Sequence, residues 1–192
     1  MKNCWTHKKL AIAMLLLMTT SMTKADELSG HISGFIGLKS MNSSDWSNLN
    51  THFSMGVIFD IKKESWPISI TLNLMDTGSE YKHDGSKDLA HTTEYHFGIS
   101  KTFQSHGSKI QPYIGGGVSF IYAELEYQTN SNTMTQDGRD VGVWLGTGMY
   151  YDINPEFLLG LDVRYSHGEV VLFNAERDVG GLSIGVTVGY QF

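Results

Sequence analysis

Cysteine, proline, charge and long apolar runs are all scarce in this 192-residue chain. The one cysteine, Cys4, excludes a disulfide framework and a cysteine-rich zinc site. Only 18% of residues are charged, against roughly 25% in an ordinary soluble domain, which argues against a fully solvated surface. The formal net charge is −6, and no Lys/Arg cluster follows the first ten residues. The basic footprint that nucleic acid requires is therefore missing. No apolar run reaches the roughly 20 residues of a membrane-spanning helix. Glycine (21) and aromatic residues (nine Phe, nine Tyr, four Trp) are abundant, a mixture that points to β-structure. The length fits one domain.

Lys2, Lys8 and Lys9 precede a nine-residue apolar run, Leu10–Met18, and a polar stretch ending in Thr23, Lys24 and Ala25. That order is the layout of a secretory signal peptide. Residues 1–25 are expected to be removed, with Thr23 as the alternative end. Cys4 lies ahead of the apolar run, so it is not a lipid-attachment cysteine. Removal takes away four lysines and no acid, so ten basic residues face twenty acidic ones, a net −10. The mature chain, 26–192, is expected to be exported and to form one barrel domain.

Beyond Ala25 the apolar residues recur with period two, the signature of half-buried strands. At the C-terminus Leu182, Ile184, Val186, Val188, Tyr190 and Phe192 share one face, and Gly181, Ser183, Gly185, Thr187, Gly189 and Gln191 the other. Val141 to Tyr151 and Phe157 to Tyr165 split the same way. Earlier runs cover Leu28–Lys39, Phe53–Ile61, Ile68–Met75, Thr93–Phe103 and Ile110–Tyr122. These make eight predicted strands. Short links (Lys62–Pro67, Gln104–Lys109, Ile153–Glu156) alternate with long ones (Ser40–His52, Asp76–His91, Ala123–Gly138, Gly168–Arg177). The pattern predicts an all-β, eight-stranded antiparallel up-and-down transmembrane β-barrel, with both termini at the short-turn, periplasmic end.

A soluble barrel of the lipocalin kind would turn its apolar face inward and cover its exterior with charge. Here the polar face is mostly Gly, Ser and Thr, which suits a narrow interior. The other face is a nearly charge-free band broken by Lys101 near a strand end. In hydrocarbon every backbone group must pair, so a closed barrel can present that band to lipid. Phe59, Trp66, Phe103, Tyr151, Phe157, Tyr190 and Phe192 fall near the short turns. Trp46, Phe53, Tyr81, Tyr95, Tyr122 and Tyr165 fall near the long ones. Two interfacial aromatic girdles are expected.

Three stretches carry a family resemblance: Pro112–Val118 (Pro-Tyr-Ile-Gly-Gly-Gly-Val), Arg164–His167 (Arg-Tyr-Ser-His) and the terminal Gly189–Phe192 (Gly-Tyr-Gln-Phe). Over nearly all of 28–192 the chain resembles the small outer-membrane β-barrels of the OmpA-transmembrane, OmpX and opacity-protein type. The resemblance implies an outer-membrane location in a Gram-negative-type cell. It also implies that Tyr190 and Phe192 act as the signal read by the barrel-assembly machinery. Fold resemblance does not set activity, because such families span adhesins, structural proteins, narrow pores and enzymes.

Strand parity turns Asp60, Glu94, His96, Asp140, Asp162 and Arg164 toward the interior, and Arg164 is read as the one basic residue deep in that set. The expectation is a lumenal polar network in which Arg164 pairs with Asp162, Glu94 or Asp140, because buried charges must be paired. A gate that passes small solutes or ions is the functional alternative. His83, Asp84, Asp88 and His91 share the second long link, but their spacing matches no metal-ligand motif. No metal and no cofactor are expected. A lipid A-modifying acyl hydrolase is the enzymatic alternative, with His31/Ser33 or His52/Ser54 as pairs. Ser166 and His167 are adjacent, so they point oppositely and suit nucleophile and base poorly.

In the fourth long link, Val170, Val171, Leu172 and Phe173 are expected either to extend the flanking strands or to form an exposed patch for a partner. The favoured role is structural or surface-interacting, adhesin-like and non-enzymatic, through the four outer loops. Expected partners are outer-membrane lipid and lipopolysaccharide, the assembly machinery and a host or cell-surface ligand, with the protein a monomer. Nothing after Phe192 is expected to tether it to the cell wall.

Overall fold

The computed structural model describes residues 28–42, 46, 49–83, 86–104, 107–129 and 132–192. The expected signal peptide, 1–25, lies outside these residues. Among the described residues ten strands form in chain order: β1 (Leu28–Ser40), β2 (Thr51–Lys63), β3 (Ser69–His83), β4 (Ser86–Thr102), β5 (Ile110–Thr129), β6 (Asn132–Asp152), β7 (Phe157–His167), β8 (Glu169–Leu172), β9 (Ala175–Asp178) and β10 (Gly181–Gln191). Eight of them close an antiparallel barrel in the order β1-β10-β7-β6-β5-β4-β3-β2, and β8–β9 is a separate hairpin. Closure removes both sheet edges from the wall. At the seam, β1 pairs with β2 from Leu28↔Lys63 and with β10 from His31↔Gln191. Phe192 continues that seam, exchanging backbone hydrogen bonds with Gly30 at 2.9 and 3.0 Å.

Period-two alternation becomes two chemically different surfaces. Val141, Val143, Leu145, Leu161, Ile184, Val186 and Val188 are 54–64% exposed on the exterior. Their strand neighbours Trp144, Asp162, Arg164 and Thr187 are at most 3% exposed inside. An exposed apolar band around a whole barrel has lipid as its natural solvent. The Phe35 ring lies over Gly37 and Gly185, where an added Cβ would sit 2.8 and 2.6 Å from it. Glycine at both positions makes room for that ring. Short turns are set locally: the Asn154 side chain accepts from the backbone N–H of Glu156 and Phe157 at 2.9 and 2.8 Å, closing β6–β7 around Pro155.

The long links differ from expectation. Asp76–His91 is largely strand: β3 and β4 stay paired out to His83↔Ser86. Ala123–Gly138 likewise continues as β5 and β6 to Thr129↔Asn132. β5 and β6 are 20 and 21 residues long, about twice the 9–11 that cross a bilayer. The ladder continues because its inner face stays buried: Thr77, Ala90, Thr92, Ala123 and Leu125 are at most 2% exposed. β3 pairs with β2 only as far as Gly78, and β6 with β7 only as far as Val143. Four strands thus rise past the barrel rim as a sheet.

The fourth link neither extends the barrel strands nor lies open as an apolar patch. It folds back as β8–β9, with Phe173 and Asn174 at φ 52° and 59°. Positive φ at both central residues is the type I′ hairpin turn. Val170 and Leu172 are buried, and of the four expected patch residues Val171 stands out at 62% exposure. Val170 and Leu172 pack with Met41, Trp46, Leu49, Ala90, Ile121, Ala123, Leu125 and Val179, and Phe173 is partly buried against them. Trp46 is therefore no girdle residue: it is 3% exposed, and its indole N–H donates to the Asp178 carbonyl at 2.6 Å. Burying its apolar rings in the mouth outweighs placing them at the interface.

Candidate functional site

The polar side chains that parity points inward are stacked in tiers from the short-turn end to the outer mouth. At the floor, Asp152 accepts from Gln111 and, at 2.9 Å, from Gln191, and Gln104 donates to Gln111 at 3.0 Å. Above it, Asp60 accepts from Ser100 and lies 3.3 Å from His31 Nε2. The Tyr150 ring meets His31 edge-on at 4.8 Å and stacks on Tyr113 at 4.7 Å. The Tyr113 hydroxyl donates to Asp162, which also accepts from Arg164 Nη2 at 3.0 Å. Arg164 lies 4.9 Å from the Trp144 ring centroid, and His96 stacks on the same indole at 5.3 Å. Arg164 Nη1 is 3.3 Å from His96 Nδ1, while His96 Nε2 is 2.9 Å from Glu94.

Glu94 does not pair with Arg164. Its carboxylate meets Lys39, whose ammonium also donates to the Val179 carbonyl at 2.9 Å. Lys39 is a second buried cation, 0% exposed, so Arg164 is not alone in the interior. Its signal was present in the sequence: Ile36 and Leu38 face out, which turns Lys39 in. Asp140 stands apart from Arg164 as well. It is half-buried at the outer mouth and accepts from the Glu169 backbone N–H at 2.7 Å, because Asp140 lies near the rim where β8 begins. The structure thus brings Asp60, Glu94, His96, Asp162 and Arg164 into one stack with Lys39, and assigns Asp140 to the cap.

The cap closes the mouth over this stack. The Phe173 N–H donates to Gln136, and its ring lies 5.2 Å from Tyr127. Arg177 lies 5.7 Å from the Trp46 ring, and Val179 N–H donates to the Gly168 carbonyl at 2.9 Å. Lys39 is the joint between tiers and cap, since one ammonium serves both.

The histidine–serine pairs lack a hydrolase geometry. Ser33, His52 and Ser54 are at most 1% exposed and face the interior, away from any lipid on the wall. Among the described residues, the hydroxyls of Ser33 and Ser54 and Nδ1 of His52 have no hydrogen-bond partner, while His52 Nε2 meets the Leu49 carbonyl at 2.7 Å. A serine nucleophile needs a base within hydrogen-bond reach. Ser166 is buried, whereas the His167 side chain is 46% exposed on the other face. Among the described residues no cluster of three or more His, Cys, Asp or Glu is arranged to hold a metal ion, and Asp84 lies outside them.

Outside the apolar band, the exterior of the β3–β5 extension carries its own charges. The His91 imidazole is hydrogen-bonded to Asp76 at 2.9 Å, and that carboxylate raises the imidazole above its ordinary value. Glu80 is held below the ordinary carboxylate range by Lys82 and Lys87, at 2.8 and 2.7 Å.

No curated protein has a matching sequence. Among solved structures, the chain is similar to neisserial surface protein A, at 15% identity over 86% of this chain and 97% of that one, with a TM-score of 0.61. It is similar to Ail, the attachment invasion locus protein of Yersinia pestis, in complex with the heparin analogue sucrose octasulfate (10% identity, 86% and 99% covered, TM-score 0.56). A major outer membrane protein of Thermus thermophilus is similar at 9% identity, 86% and 99% covered, with a TM-score of 0.60. These likenesses carry the fold. The model of the outer membrane protein β-barrel domain matches residues 10–192. With an apolar exterior, a filled polar interior and that match, the chain belongs to the outer-membrane β-barrel family and resides in the outer membrane.

Proposed function

We propose that the protein is a non-enzymatic surface-interaction barrel, adhesin-like, whose contact region is the sheet that β3–β6 raise beyond the membrane. One observation carries this reading. Over residues 132–142, β6 pairs with β5 alone. From Gln136 on, β8 covers its other edge, with Gln136 and Asp140 accepting from the Phe173 and Glu169 N–H, so the backbone groups that face outward are those of residues 132–135. An unpaired edge is a template for a partner strand. This one has neither proline nor lysine to blunt it, and Asn132 to Thr135 are all exposed.

The filled interior supports this reading over the gated pore. Paired or stacked side chains occupy each tier from Asp152 to Lys39, and an eight-stranded barrel is just wide enough to be filled by them. The partnerless, inward serines argue against the acyl hydrolase. Outer-surface charge narrows the partner: Asp76, Glu80, Glu124, Glu126, Asp137, Glu169 and Glu176 outnumber Lys82, Lys87, Arg139 and Arg177. That excess favours a basic or neutral protein surface over a polysulfate of the kind bound to Ail. Lipopolysaccharide around the outer rim and the assembly machinery at β10 complete the proposed partners. Phe192, stacked on Phe59 at 6.2 Å beside the seam, is well placed with Tyr190 for the assembly role.

The test is binding of cells displaying the protein to host cells or extracellular matrix, with the 124–137 segment replaced by a short Gly-Ser turn. Heat-modifiable gel mobility verifies that the barrel still folds. Binding is expected to fall to background, and undiminished binding by a folded variant overturns the proposal. Steady conductance of the pure protein in planar bilayers would restore the pore reading.

A further inference from the structure

Two lysines on the lipid-facing wall near the short turns take no part in the lumenal stack or the outer sheet. Lys101 shares the outward face of β4 with Phe97 and Ile99, and its ammonium lies 5.5 Å from the ring centroid of Phe103, just past the strand. Lys109, just before β5, lies 5.9 Å from the Tyr151 ring on β6. Phe103 and Tyr151 are each nearly half exposed. Among the described residues, neither lysine has a carboxylate within ion-pair distance.

Charge is sorted across the wall at this level. Asp152, the neighbour of Tyr151, is turned into the lumen floor and held there by Gln111 and Gln191. The acid therefore faces inward and the bases face lipid, with Glu156 in the turn beyond. At the opposite end of the same sheet the exterior carries Asp76, Glu124 and Asp137 beside His91 and Arg139. The short-turn end of the apolar band thus meets ammonium groups, and an acid-rich rim lies beyond its other end. A lysine on a lipid-facing wall is tolerated where its stem lies along apolar surface and its ammonium reaches the headgroups. Aromatic rings settle at that same depth.

We propose that this β4–β6 rim is a contact site for an anionic phospholipid of the periplasmic leaflet. Headgroup phosphates along this rim accept hydrogen bonds from Lys101 and Lys109, and the acyl chains lie along Ile110, Pro112 and Ile114. Surface lysines attract anionic lipid with a strength that corresponds to about fivefold per residue.

The protein is folded into nanodiscs of phosphatidylcholine, alone or doped with phosphatidylglycerol, and the lipid it retains is counted by native mass spectrometry. Enrichment of phosphatidylglycerol is expected, reduced about fivefold by either Lys101→Gln or Lys109→Gln. Lys87→Gln, on the outer hairpin, is expected to leave it unchanged. Lys101→Arg and Lys109→Arg keep the charge and are expected to keep the lipid, with folding verified by gel mobility. Absence of enrichment, equal loss in Lys87→Gln, or loss in the arginine variants overturns the proposal. Inorganic phosphate added to doped nanodiscs separates the sources: displacement of the lipid by phosphate alone would assign a free-anion site and overturn the lipid one.

Discussion

Lys39 and Glu94 form an ion pair inside the barrel, with side chains 1% and 3% exposed. Removing one partner of such a pair leaves an uncompensated buried charge. Lys39→Met is expected to destabilise the protein by about 3–5 kcal/mol, part of it through the lost bond to the Val179 carbonyl. Lys39→Met with Glu94→Leu is expected to recover most of that, because neither charge then needs a partner. Urea unfolding in phospholipid vesicles, followed by tryptophan fluorescence, measures both. A single variant as stable as the wild type would show that water reaches Glu94.

Leu172 anchors the cap, being 0% exposed against Trp46, Leu125 and Val170. Leu172→Ala is expected to cost about 2–4 kcal/mol locally. Because β8–β9 forms its own sheet, the loss should be confined to the mouth. Hydrogen exchange is the measurement: amides of 169–179 should exchange faster, while those of β7 and β10 keep their protection. Uniform acceleration across the barrel would mean that the cap and wall unfold together.

The barrel was legible because lipid demands an unbroken alternation: β6, β7 and β10 read directly from Val141, Phe157 and Leu182 onward. The sheet beyond the membrane was not. Outside hydrocarbon its exterior face needs no apolar residues, so Glu124, Glu126 and Asp137 have the composition of a loop while their backbone stays paired. Lys39 was legible by parity, but its position beside Ser40 at a strand end resembles a solvated rim. Glu94 had a visible direction, but parity offered Arg164 as its partner where the barrel register supplies Lys39. Trp46 and Leu172 are distant in sequence, and their contact exists only once the cap folds back. Direction is a local property of a strand, whereas partnership is set by barrel register.

His91 and Asp76 meet on the exterior above the apolar band, and the imidazole is raised above its ordinary value first by the hydrogen bond to that carboxylate. Protonation is therefore favoured in the folded state. The stabilisation is fully present below the unfolded imidazole value and is lost as pH rises through the folded one. Side-chain exposures of 46% and 48% keep the pair wet and sensitive to salt. Imidazole NMR titration should show a raised midpoint that returns toward the ordinary value in Asp76→Asn. A midpoint unmoved by that substitution would assign the shift to Glu124, which faces His91 across β4–β5.

Leu145 lies midway along the outward row from Val141 to Tyr151 and is 64% exposed. In water such a position would gain from a charge. On the lipid face an arginine near mid-depth costs roughly 2–4 kcal/mol, falling toward zero at the interfaces. Leu145→Arg is accordingly expected to destabilise folding into phosphatidylcholine vesicles by that amount. Tyr151→Arg, at the short-turn interface, should cost about 1 kcal/mol or less. The depth dependence carries the argument, because a soluble surface would treat both substitutions alike. Equal, near-zero effects at the two positions would remove the apolar band from the membrane.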